Sequence, residues 1–237
     1  MKLTWASFSD EGPRPENQDA VAVWDLDDGT LCAAIADGVG GQYGGMKASL
    51  IAIEILGNEL LEFRDWKLDK IAHRIHSAIV HEQTMDPRCV NMATTLSAIL
   101  IDSRGATIVH SGDTGIYLIR GTGIKKLTEE HSEARRLLAE GLLTREEYAQ
   151  YPRKNVLYSA LGMRGEPRID QKLLKIQPGD RIILASDGAY NLLSLREMRV
   201  LCDKSPTAYQ FAQEIRHTVE NRFPSDNYSV ISIFVDP

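Results

Sequence analysis

LCAAIADG, residues 31–38, is a short apolar run that ends abruptly on Asp-Gly, and its surroundings decide the fold. Two similar runs precede it, Leu3 to Phe8 and Ala20 to Trp24. Asp27-Asp28-Gly29 predicts a hairpin between the second and the third. From Gly45 the period changes. Ala48, Ile51, Ala52, Ile55, Leu56 and Leu60 recur at helical spacing, and Leu68, Ile71, Ala72, Ile75 and Ile79 repeat it after a break near Asp65. Two amphipathic helices are expected to cover one face of a sheet.

Thr95 to Ile101, Ala106 to His110, Ile116 to Arg120 and Ile124 to Leu127 are β-rich and separated by DSRG, SGDTG and GTG. Connections this short predict an antiparallel meander. Residues 129–166 are charged, with short helical fragments at Ala134 to Glu140 and Thr144 to Ala149, and read as a surface insertion. Arg181 to Ser186 and Tyr228 to Val235 read as two further strands flanking a helix that starts near Ser205-Pro206. Ala208, Phe211, Ala212, Ile215 and Val219 give that helix its buried stripe. The expectation is one α+β domain over residues 1–237, a layered sandwich.

Composition narrows the function. A formal charge of −6 without a Lys/Arg run argues against nucleic acid or a membrane surface as partner. The polar start MKLTWASFSDEG lacks the apolar stretch of a secretory peptide, which predicts a soluble, cytoplasmic protein. Cys32, Cys89 and Cys202 are far apart and outside any CxxC spacing, so they read as small apolar fillers.

Three aspartates sit at strand ends: Asp37 after LCAAIA, Asp187 after IILAS, and Asp226 before NYSVISIFV. If the first two strands run antiparallel to the third, all three carboxylates reach one sheet edge. Gathered carboxylates repel and raise one another's pKa unless a cation sits among them. With oxygen donors only, a hard ion such as Mg²⁺ or Mn²⁺ suits them better than zinc. Glycine follows in Asp37-Gly38 and Asp187-Gly188, where it lets the backbone bend and bring a carbonyl toward a metal.

GPRPENQD (12–19), AIADGVGG (34–41), MATTLSAILI (92–101), SGDTGIYLIR (111–120), IILASDGAYN (182–191) and SDNYSVISIFV (225–235) follow one another in the order of the protein phosphatase 2C family. The chain most resembles the compact bacterial members, and EGLLTREEYAQYPRKNVLYSALG (140–162) is similar to their flap segment. The resemblance implies a four-layer α-β-β-α sandwich with two central antiparallel sheets flanked by helix pairs. It implies a metal-dependent phosphoserine/phosphothreonine phosphatase with two divalent ions, Mn²⁺ or Mg²⁺, and a weaker third.

On that resemblance Asp37 bridges two metals, with the Gly38 carbonyl on the first, and Asp187 and Asp226 complete the second. Asp19 orients metal-bound water, Arg14 holds phosphate oxygens through its planar fork, and Asp113 joins Asp187 at the third ion. A hydroxide bridging the metals attacks phosphorus in line, with no covalent phosphoenzyme. The implied partners are phosphorylated proteins, targets of a Ser/Thr kinase, together with the kinase itself; the protein is expected to act as a monomer. Arg14 between Pro13 and Pro15 also fits a stiffened surface loop, and Asp113 also fits a plain turn residue. His110 and His131 read as structural or exposed, and Asn17 and Asn227 as turn caps.

Two departures stand out. Gln18 replaces a glutamate found in some relatives, and Val39 stands where eukaryotic relatives carry a proposed general-acid histidine. A phosphoprotein-binding regulatory module that has lost turnover, and a hydrolase of small phosphate esters, are the competing readings. Retention of Asp37, Asp187 and Asp226 argues against the first.

Overall fold

The computed structural model describes residues 1–26, 29–39, 42–63 and 66–236. Its strands are β1 (Lys2–Asp10), β2 (Asp19–Asp25), β3 (Leu31–Val39), β4 (Ala93–Thr94), β5 (Leu96–Asp102), β6 (Gly105–Ser111), β7 (Gly115–Arg120), β8 (Gly123–Lys126), β9 (Asp170–Leu174), β10 (Arg181–Ala185) and β11 (Tyr228–Asp236). The helices are α1 (Gln42–Leu61), α2 (Leu68–Met85), α3 (Glu133–Ala139), α4 (Arg145–Gln150), α5 (Asp187–Tyr190), α6 (Leu195–Lys204) and α7 (Ala208–Glu220). The expected turn residues Asp27 and Asp28 and the helix break at Asp65 fall outside the described residues.

One sheet runs β1-β11-β10-β7-β8, the other β2-β3-β5-β6-β9 with β4 beside β3, and every pairing is antiparallel. The apolar runs are continuous rather than alternating because both faces of the central strands are covered. Along β3, Cys32, Ala34 and Ala36 pack under α1 and α2, while Leu31, Ala33 and Ile35 meet the opposite sheet. Along β10, Ile183 and Ala185 pack under α6 and α7, while Ile182 and Leu184 face inward. Three apolar interfaces therefore separate four layers, α-β-β-α. All three cysteines are buried and free.

The meander is corrected by the structure. β5 pairs with β6 in one sheet and β7 with β8 in the other, so SGDTG is a crossing between sheets and not a hairpin. Each strand finds a sequence-distant neighbour instead: β6 pairs with β9, and β7 with β10. The segment between β10 and β11 also holds more helix than expected, with α5 and α6 preceding α7. Ser194 caps α6 in a reciprocal arrangement with Glu197. The cap of α7 is Thr207, not Ser205, whose hydroxyl turns back to the Leu201 carbonyl. Pro206 thus lies outside that helix.

Candidate active site

Asp37 ends β3 and is held by its backbone. Its N–H donates to Thr95 Oγ1 at 2.9 Å, and its carbonyl accepts from the Thr95 N–H at 2.8 Å and from Thr94 Oγ1 at 3.0 Å. The Gly38 N–H donates to the Gln18 carbonyl at 3.1 Å. Neither Gly38 nor Gly188 adopts the left-handed conformation. A Cβ on Gly38 would lie 2.1 Å from the Gly45 carbonyl oxygen, and one on Gly188 would lie 2.0 Å from the Asn227 carbonyl oxygen. The bend expected of these glycines is therefore corrected to close packing: α1 presses against one, and the start of β11 against the other.

The remaining acids arrive from both sheets. Asp19 pairs with Asp37 across β2 and β3. Its Oδ2 accepts from Ser186 Oγ at 2.7 Å, and Ser186 Oγ accepts the Ser229 N–H at 2.9 Å. Ser186 makes no side-chain cap bond to α5; its oxygen accepts the Ser229 N–H, and its hydroxyl proton goes to Asp19. Asp187 opens α5, Asp226 precedes β11, and Asp113 sits on the sheet crossing with its carbonyl accepting from Tyr190 Oη at 3.0 Å. Arg14 Nη2 donates to Asp226 Oδ2 at 2.8 Å. Asn227 fastens the loop that carries Arg14: its amide donates to the Glu11 and Glu16 carbonyls at 2.8 and 3.0 Å, and its Oδ1 accepts the Gln18 N–H at 2.9 Å.

Electrostatics report the crowding. Burial raises the Asp37 pKa well above the ordinary carboxylate value, and Asp19, Asp187, Asp113 and Asp226 each push it further. Burial, then Asp187 and Glu130, raise Asp113 to about 7. Burial raises Asp19 to about 6 against the opposing hydrogen bonds from Ser186 and Ser229. Asp187 rises through burial and then Asp226. Asp37, Asp113, Asp187 and Asp226 line a cleft of about 710 Å³ together with Val39, Ala93, Val156, Leu157, Met163 and Arg164. A smaller lobe of about 320 Å³ shares Gln18, Asp37, Gly38 and Asp226 with it and is lined by Arg14 and Glu16. No histidine lines either lobe among the described residues.

The residues fit hard divalent ions. Asp19 Oδ1 and Glu16 Oε2 are buried without a hydrogen-bond partner. No described cation stands among the influences on Asp37, and the donors are all oxygen. Among the described residues no three acidic, histidine or cysteine side chains are drawn together into a finished cage. The carboxylates lie within electrostatic reach of one another.

A family description, protein phosphatase 2C, matches residues 14–222. The chain belongs to the protein phosphatase 2C family. Protein phosphatase PhpP of Streptococcus pneumoniae is 33% identical, over 84% of this chain and 86% of its own length. The serine/threonine phosphatase PstP/Ppp of Mycobacterium tuberculosis superposes with a TM-score of 0.87 at 28% identity, covering 100% of both chains. The catalytic domain of PstP in complex with two manganese ions gives 0.84 at 28% identity, covering 99% of each.

Within this phosphatase fold, several contributors escaped the sequence reading. Ser186, Ser229, Thr94, Thr95 and Glu130 all shape the site, yet serine and threonine beside a strand end are too common to single out. Glu130 reaches Asp113 electrostatically and is neutralised by Lys126 at 2.7 Å. Asn227 does bond backbone, as expected of a cap, but it clamps a loop more than two hundred residues distant. Both histidines are buried and bonded: His110 Nδ1 lies 2.8 Å from Ser97 Oγ, and its Nε2 lies 2.8 Å from the Glu129 carbonyl.

Proposed function

We propose that this chain is a metal-dependent protein serine/threonine phosphatase whose site is built from Arg14, Asp19, Asp37, Gly38, Asp113, Asp187 and Asp226. The observation that carries the reading is the set of carboxylates around one cleft, Asp37, Asp113 and Asp187 with raised pKa values and Asp226 beside them, with the guanidinium groups of Arg14 and Arg164 among the lining side chains. Asp37, the Gly38 carbonyl, Asp187 and Asp226 would hold two divalent ions, Mn²⁺ or Mg²⁺, and Asp113 with Asp187 a weaker third. Bound there, the ions would supply water acidified enough to attack phosphorus at neutral pH and would offset charge on the phosphoryl oxygens.

The protein's own groups do the rest. Asp19, steadied by Ser186 and with Oδ1 buried and unpartnered, would orient water. Arg14 pairs with two phosphoryl oxygens through its fork and stabilises the charge they carry in the transition state. The clamp by Asn227 fixes the loop from which Arg14 reaches. Val39 brings no proton donor to the leaving oxygen. The substrates are phosphorylated proteins, targets of a Ser/Thr kinase and that kinase itself, in the cytoplasm, and the enzyme acts as a monomer. Among the described residues no helix is long and apolar enough to cross a membrane.

The test is phosphate release from a phosphothreonine peptide by the wild type and Asp187→Asn, with Mn²⁺, with Mg²⁺ and with chelator. Metal-dependent release that is lost in the variant is expected. Equal turnover in chelator rejects the mechanism, and faster release from free nucleotides than from peptide rejects the substrate class.

A further inference from the structure

We infer that His131 is a positioning residue that sets Asp113, on the lining of the cleft, in register with the flap wall formed by residues 155–157. This rests on the proposed phosphatase reading and adds a residue that touches neither substrate nor metal. His131 is fully buried. Its N–H donates to the Gly112 carbonyl at 2.7 Å, and its Nδ1 accepts the Gly112 N–H at 3.2 Å. One side chain and its own backbone thus grip both polar groups of the residue before Asp113. On the other side its carbonyl accepts the Tyr158 N–H at 2.8 Å, and the next residue, Ser132, bridges to Leu157.

The tautomer follows from these bonds. With Nδ1 accepting, the ring proton is on Nε2, which donates to Asp170 Oδ2 at 3.2 Å. Asp170 also accepts from Arg168 at 2.9 Å, and Arg168 donates to Tyr158 Oη at 2.7 Å, closing a circuit back to the flap. The His131 ring lies 4.9 Å from that of His110 and 5.7 Å from that of Tyr158, so it has little room to turn. The two ring nitrogens therefore serve different partners, Nδ1 the Asp113 loop and Nε2 Asp170 at the start of β9, which is tied through Arg168 to Tyr158.

That division allows a test. His131→Asn keeps an acceptor near the Nδ1 position and loses the Asp170 contact, whereas His131→Gln keeps a donor near Nε2 and loses the acceptor for Gly112. Hydrogen exchange on the metal-free proteins should rise about tenfold or more at residues 112–114 in His131→Gln only, and at 156–158 in His131→Asn only. In kinetics, His131→Gln should need several-fold more Mn²⁺ to reach half-maximal rate. His131→Asn should raise KM for a phosphopeptide with kcat nearly kept. Equal effects of both variants on both segments, scaling with lost stability, would mean a merely structural histidine and would overturn the inference. A wild type inactive on phosphopeptides would sink the phosphatase reading while leaving the exchange contrast to decide this one.

Discussion

Arg14 and Asp226 are joined at 2.8 Å, side chain to side chain, so the guanidinium lies against a carboxylate proposed as a metal ligand. Both groups are about half exposed. Such an exposed pair is weak, roughly 0–1 kcal/mol, and a divalent ion with several oxygen donors would displace it easily. Released from Asp226, Arg14 is free for phosphate. Arg14→Ala should therefore leave Mn²⁺ binding equal or slightly tighter by calorimetry, while kcat/KM on a phosphopeptide falls about 10²–10³-fold. Weaker Mn²⁺ binding in Arg14→Ala would contradict this competition.

Asp37 sits among four other acids and suffers repulsion from each. Replacing it with asparagine keeps the shape and removes the charge. Asp37→Asn should abolish turnover, by more than about 10³-fold, yet raise the thermal midpoint of the metal-free protein by roughly 2–4 °C for each kcal/mol of repulsion relieved. Calorimetric scans in chelator beside phosphate-release assays check both halves. A lower midpoint would mean that the carboxylate is needed for folding.

Stability should depend on pH in opposite senses with and without metal. Asp19 at about 6 and Asp113 at about 7 titrate above the ordinary carboxylate value, so the folded state binds protons more tightly than the unfolded chain. Their contribution is complete below about pH 4 and is lost as pH rises through about 6 to 7. The metal-free midpoint should fall from pH 5 to pH 8, and the increment given by saturating Mn²⁺ should grow over that interval, because binding needs deprotonated ligands. A metal increment that shrinks with rising pH would rule this out.

Asn227 makes three hydrogen bonds to the 11–18 loop, all to backbone. Asn227→Ala would take one partner from the part-buried Gln18 N–H and from the Glu11 and Glu16 carbonyls, at a cost of roughly 0.5–1.5 kcal/mol for each hydrogen bond lost. The more telling effect is on the substrate: freed of its clamp, Arg14 should bind phosphate less well, and KM for the phosphopeptide should rise more than kcat falls. Denaturant unfolding together with steady-state kinetics separates the two effects, and an unchanged KM would detach this clamp from Arg14.

Much of the molecule was legible along the chain. LCAAIA and IILA are apolar at every position because both faces of those strands are buried, and the Asp-Gly that follows each marks where the chain leaves the core. The stripes of α1, α2 and α7 carry the 3.6 period of one-sided burial, so those helices were readable too. Other elements were not. β9 has a largely exposed DQKLL and no apolar pattern, and it is a strand only because β6 offers it an edge. α6 hid behind a charged surface, although its Ser194–Glu197 cap was there to be read.

The sequence by itself singled out Asp37, Asp187 and Asp226, since a carboxylate at a strand end needs only local pattern to be noticed, while Arg14, Asp19 and Asp113 entered through the family resemblance. Tertiary structure alone decided how they meet. It sends SGDTG from one sheet to the other, places Ser186 against Asp19, clamps the Arg14 loop with Asn227 and seats His131 between Asp113 and the flap. Those contacts join separate parts of the chain through a few hydrogen bonds each, and a hydrogen bond between distant residues leaves no periodicity in sequence. Burial of apolar surface does, because it repeats along every strand and helix that takes part in it.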